Sequence, residues 1–192
     1  MKKLLILLSL VLILVTGCGM KATPTKKVEE FLGKYQSMDS AVLSQLDSVI
    51  SSDASMSDDE KKEYRGLMEK QYQNLSYKIK NEEIEDDNAT VSVEIEVYDY
   101  ATSIKKSKEY YQEHIDEFSD DKKDDNKDDS TVEDDIDNSK KFIDYKIKQL
   151  KNVTARTKYD IKFYLTKNDK DEWVLDDITD IDRQKIHGLY EG

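Results

Sequence analysis

Ala89-Thr90-Val91-Ser92-Val93-Glu94-Ile95-Glu96-Val97 alternates apolar and polar residues at every step. A period of two places the alanine, the valines and the isoleucine on one face of a strand and Thr90, Ser92, Glu94 and Glu96 on the other. The segment therefore predicts a sheet with one face on a core and one in water. Upstream, Leu75, Tyr77 and Ile79 alternate with Ser76, Lys78 and Lys80, and Glu85-Asp86-Asp87-Asn88 has turn composition, so the two runs predict an antiparallel hairpin. A second hairpin is expected downstream. Tyr159, Ile161, Phe163 and Leu165 form its first apolar face, Asn168-Asp169-Lys170-Asp171 its turn, and Trp173 and Leu175 its return.

Outward from these strands the period changes to that of helices. Val28, Phe31, Leu32 and Tyr35 fall at i, i+3, i+4 and i+7, with Pro24 near the start. Val42, Leu43, Leu46, Val49 and Ile50 predict a second helix, closed by the small polar run from Ser51 to Ser57. Ser57 and Glu60 read as a capping box opening a third, striped by Tyr64, Leu67, Met68 and Tyr72. Ile104, Tyr111, Ile115 and Phe118 mark a fourth helix, Phe142, Ile143, Ile147 and Leu150 a fifth, and Ile181, Ile186 and Leu189 a short closing one. The fold class is α+β: N-terminal helices packed on a curved antiparallel sheet built from two hairpins, with a helical excursion between them. That excursion carries Ser119 to Asp137, with ten acidic residues against three lysines. So little apolar surface cannot offset the entropy of ordering, and a disordered acidic insertion at about 119–137 is expected.

At the start of the chain, Lys2 and Lys3 precede an apolar run from Leu4 to Val15, and Val15-Thr16-Gly17-Cys18 follows. The run is short of the about 20 residues a bilayer-spanning helix needs. This arrangement resembles the lipobox of bacterial lipoproteins. The resemblance implies a signal peptide at 1–17, a diacylglycerol on the Cys18 thiol, a short lipidated tether at 18–23, and a single domain at 24–192. It implies an address as well: the extracytoplasmic face of the cell membrane, held by the lipid on Cys18. Removing 17 of the 192 residues leaves 175, the length of one ordinary domain. Cys18 is the only cysteine, so its use as lipid acceptor leaves the domain no thiol for a disulfide, a metal cluster or a nucleophile.

Together with the opening Pro24-Thr-Lys-Lys-Val-Glu-Glu-Phe31, the strand from Ala89 to Val97 and the closing stretch from Trp173 to Ile178, the chain resembles small Gram-positive bacterial lipoproteins that carry a cystatin-like or nuclear-transport-factor-two-like (SnoaL-like) domain. That resemblance implies a sheet that wraps around helices and can enclose a cone-shaped pocket. It assigns no function, because fold alone does not.

Charge narrows the partners. The chain carries 30 Lys and Arg against 42 Asp and Glu, a net of −12, which becomes −14 without Lys2 and Lys3. A mostly negative field argues against nucleic acid, whose phosphates require clustered positive charge. Lys21, Lys26, Lys27 and Lys34 outnumber Glu29 and Glu30 near the tether, so the membrane-proximal end is expected to be locally basic and the acidic insertion to point away.

Candidate chemistry is sparse. His114 shares a helix turn with Tyr110, Tyr111 and Phe118, and His187 sits in the C-terminal segment; neither belongs to a motif, and both read as surface or boundary residues. Asp124, Asn126 and Asp128 have the opening spacing of a calcium loop, yet Asp129 stands where glycine belongs and Asp135 where the bidentate glutamate belongs, so a solvated charge run is the better reading. Of the twelve tyrosines, Tyr64, Tyr72, Tyr77 and Tyr159 lie on apolar faces, while Tyr98 and Tyr100 are expected on the strand face opposite Val97. No catalytic residue, metal site or cofactor is expected from the sequence. The leading function is a non-enzymatic binding or interaction module for an unknown protein or small-molecule ligand. A pocket enzyme of the nuclear-transport-factor-two-like type and a solute-binding accessory lipoprotein stand as alternatives.

Overall fold

The structure is a computed structural model that describes residues 21–118 and 140–192. Cys18 and the acidic stretch at 119–137, including the Asp124, Asn126 and Asp128 spacing, lie outside the described residues.

Three helices come first: α1 (Pro24–Gln36), α2 (Ser40–Ser52) and α3 (Asp58–Gln73). Each starts on a side chain that supplies what the first free N–H groups lack. Thr23 accepts from Lys26 N, Asp39 from Ala41 N, and Ser57 forms the reciprocal capping box with Glu60 that the sequence predicts. The first hairpin follows as β1 (Ser76–Glu85) and β2 (Asn88–Tyr98), turning at Asp86, whose φ is +55°. Next come α4 (Tyr100–Glu113), the single turn α5 (Ile115–Phe118) and α6 (Lys140–Lys151). The chain closes with β3 (Arg156–Lys167), β4 (Trp173–Leu175) and α7 (Asp180–His187).

All four strands form one antiparallel sheet in the order β1-β2-β3-β4, so the two hairpins join along β2 and β3. The alternation in β2 appears directly as burial. Ala89, Val91, Val93, Ile95 and Val97 are buried and the residues between them are not. Ile161, Phe163 and Leu165 of β3 continue that layer, and Val28, Leu32, Leu67, Met68, Tyr72 and Ile186 cover it from the helices. The opposite face stays polar, where Glu94 bridges Lys80 at 2.8 Å and Lys158 at 3.1 Å.

One strand departs from its pattern and three expectations are corrected. The alternation of β1 fails past Ile79, because an extra residue bulges the strand between Ile79 and Asn81; Glu82 then pairs with Val91 and Ile84 with Ala89. Glu82, moved to the helix-covered side, accepts a hydrogen bond from Thr25 N at 2.8 Å at the start of α1. The fourth helix is interrupted at His114, and Tyr100 belongs to no strand: it opens α4 behind the Asp99 cap, fully buried, its hydroxyl donating to Leu67 O at 3.2 Å. The sheet also stays open, with β1 and β4 as edges, rather than closing into the cone that the resemblance implies. Its covered face is filled by packed side chains.

Candidate functional site

Among the described residues, titratable side chains meet an apolar hollow beside α2. This helix presents Leu46 and Ile50 to the core, but Val42 is only partly covered and Val49 is 68% exposed. The apolar stripe is wider than the surface beneath it. A cleft of about 410 Å³ remains between α2, α3 and the end of α7, walled by Val42, Leu46, Val49, Tyr64, Met68 and Leu189.

Tyr35, Tyr72 and His187 close its inner end. Tyr72 packs edge-on against Tyr35 with centroids 5.1 Å apart, and Tyr35 against Phe31 at 5.5 Å, so an aromatic run leads from the core to the cleft. The Tyr72 hydroxyl is hydrogen-bonded to His187 Nε2 at 3.1 Å. Arg183 stands one turn before His187, on the same face of α7, with 42% of its side chain exposed.

The position of His187 is set by two residues outside the cleft. Gln71 is completely buried; its Nε2 donates to His187 O at 2.9 Å and to Tyr98 O at 3.1 Å, while its Oε1 accepts from Tyr98 N at 2.8 Å. Gly188 ends α7 in the left-handed conformation at φ +71°. Leu189 N then donates to Gln184 O and Gly188 N to Lys185 O, a Schellman ending that satisfies the last carbonyls.

Burial, aided by the Arg183 cation, pushes His187 down to about 4. Burial likewise raises Tyr72 and Tyr35 above the usual phenol value. At neutral pH the pair is a neutral imidazole and a protonated phenol, and neither group has the near-neutral pKa that efficient proton transfer requires. Such a surface is suited to holding an apolar molecule and orienting it by hydrogen bonds.

His114 lies elsewhere. It caps α4, its Nδ1 is 2.9 Å from Tyr110 O, and its ring stacks on Tyr110 at 4.0 Å beside Phe118, Phe142 and Tyr145. The two histidines are not brought together. Both sit at the boundary between core and surface, as the sequence reading has them, but the Tyr72 partner of His187, 115 positions away in sequence, had no sequence signal. Gln71 and Arg183 were missed as well, being ordinary polar residues in helical segments. Among the described residues no group of three or more His, Cys, Asp or Glu side chains is placed to hold a metal, and no helix is long and apolar enough to cross a membrane.

No family model matches the chain, and no curated protein does. A solved structure, that of a candidate lipoprotein (ycdA) from Bacillus subtilis, is similar over 88% of this chain and 47% of that one, at 18% identity and a TM-score of 0.39. The chain thus spans about half the length of that protein, and superposition at this level carries neither fold nor function across.

Proposed function

We propose that this protein is a lipid-anchored extracytoplasmic binding module, non-enzymatic, whose ligand enters the cleft beside α2. The observation that carries the binding reading is the cleft itself: an apolar hollow whose buried Tyr72–His187 pair is hydrogen-bonded yet held away from proton transfer at neutral pH. The anchor rests on Lys2, Lys3, the apolar run and Cys18. Lys21, three residues on, pairs with Asp171 at 2.9 Å and donates to Lys170 O at 2.7 Å in the β3–β4 turn. Three residues span at most about 11 Å. In this reading the turn end of the sheet faces the bilayer, where the acidic turn residues Asp86, Asp87, Asp169 and Asp171 stand beside the lysines expected from sequence.

Two measurements test this reading. Cys18→Ala is expected to move the protein from the lipidated detergent-phase fraction to an unlipidated form; an unchanged acyl content would refute the anchor. Val49→Trp, placed at an exposed position that walls the cleft, is expected to block uptake of a hydrophobic fluorescent probe, and unchanged uptake would refute the cleft. A pocket enzyme is the second reading, favoured only by His187 facing the cleft; turnover abolished by His187→Gln would support it.

A further inference from the structure

The charge of the cleft is the reverse of the charge of the chain. Asp and Glu supply 42 of the residues, yet among the described residues no carboxylate walls the cleft. Its polar members are Gln45, Ser48, the tyrosine hydroxyls and His187, and the charged group among the described residues lining it is the Arg183 guanidinium. That cation is weakly neutralised. Among the described residues it pairs with Asp180 on the same helix, 3.9 Å away and 97% exposed, a separation and a setting in which an ion pair contributes little. On the far side of Val49 a second hollow of about 280 Å³ continues under α2, lined by Ile50, Met56, Tyr64 and Ile104 and by the charged Asp53 and Lys146. The cleft itself thus carries one weakly paired positive charge on its α7 side, while the hollow beyond it adds the opposite charges of Asp53 and Lys146.

From this geometry we infer that the ligand is a free single-chain amphiphile with an anionic head, its alkyl chain lying beneath α2 and its carboxylate on Arg183. The inference rests on the binding reading above and adds the chemical class. An arginine fork matches a carboxylate, and a charge-assisted hydrogen bond in a partly desolvated site is about twice as strong as a neutral one. Neutral Tyr72 and His187 complete the polar end without adding a second charge.

A diacyl lipid of the bilayer is disfavoured by position. The tethered end of the molecule is where Thr25 N meets Glu82 and Lys21 meets the β3–β4 turn. Tyr35, at the opposite end of α1, lines the cleft. Ten helical residues rise about 15 Å, so the cleft is set back from the bilayer by at least that much when α1 points away from it. A ligand reaches it through water.

The experiment is a calorimetric titration of laurate and dodecanol, each below its micelle-forming concentration, into the full chain held in phosphatidylcholine nanodiscs, with empty discs subtracted. The expected result is saturable laurate binding about tenfold tighter than dodecanol, with Arg183→Gln reducing laurate to the dodecanol level. Arg183 is substantially exposed, so this variant is expected to keep the wild-type melting temperature, which circular dichroism checks. Equal binding of the two probes, or laurate binding untouched by Arg183→Gln, overturns the anionic class while leaving the cleft reading intact. No binding of either probe, or binding insensitive to Val49→Trp, overturns both. Laurate binding lost when phosphatidylglycerol replaces part of the disc lipid would assign the site to a bilayer headgroup, and a concentration-dependent dimer abolished by Val49→Glu would assign it to a second copy; either result overturns the inference.

Discussion

At Gly188 a Cβ would lie 2.1 Å from Gln71 Nε2 and 2.2 Å from Tyr98 O, and the backbone stands at φ +71°. A side chain there must displace both partners and adopt a disfavoured conformation, so Gly188→Ala is expected to cost about 3 kcal/mol, read as a lower urea midpoint at constant slope. An unchanged midpoint would show that the contact yields freely. His187 makes a prediction about pH. Its native value of about 4 lies below its ordinary 6.5, so the fold holds the neutral form. That contribution is complete above pH 6.5 and is lost as pH falls toward 4, on the order of 3 kcal/mol in all. The window from pH 6.5 to 5 lies above the ordinary carboxylate range, and comparison with His187→Gln isolates this group there. Stability should decline there in the native protein and stay flat in His187→Gln; a parallel decline in both would exclude His187. Neither effect was legible in sequence, since Gln71, Gly188 and His187 look ordinary until the fold packs the end of α7 against the end of β2.

Helix starts and strand alternation, by contrast, are local. Ser57 and Glu60 announce the α3 capping box because its donors and acceptors lie within four residues of each other, and Ser57→Ala is expected to cost about 1 to 2 kcal/mol by thermal unfolding. Burial disfavours the Glu60 carboxylate, but the Ser57 hydroxyl and backbone N–H and the Lys140 ammonium at 3.6 Å outweigh it and hold its pKa below the usual range. A stability effect near zero for Ser57→Ala would mean that Lys140 suffices. In β2 each residue faces its neighbours in strict alternation, so the pattern and the burial coincide. β1 shows the limit of such reasoning. The bulge between Ile79 and Asn81 changes which side each later residue takes, and it is favoured by a long-range contact, Glu82 on Thr25 N.

For the molecule as a whole, stability should be uneven. β2 and β3 share the central ladder and bury opposing apolar rows, whereas α2 buries only Leu46 and Ile50 and borders the cleft. Amide hydrogen exchange is therefore expected to be fastest among the long helices in α2 and slowest in β2, and comparable protection in the two would contradict the view of α2 as a loosely held wall. The α+β class, the two hairpins, the helix order and the lipobox-like stretch ending at Cys18 follow from sequence alone, because each depends on residues close together in the chain. What tertiary structure alone decided is that the sheet built from the two hairpins stays open, with β1 and β4 as edges, the pairing of Tyr72 with His187, and a cleft around Arg183 to which no described residue brings a carboxylate. These depend on contacts between residues 58 or more apart in the chain, 115 for Tyr72 and His187, and no local period or spacing encodes a distance of that kind.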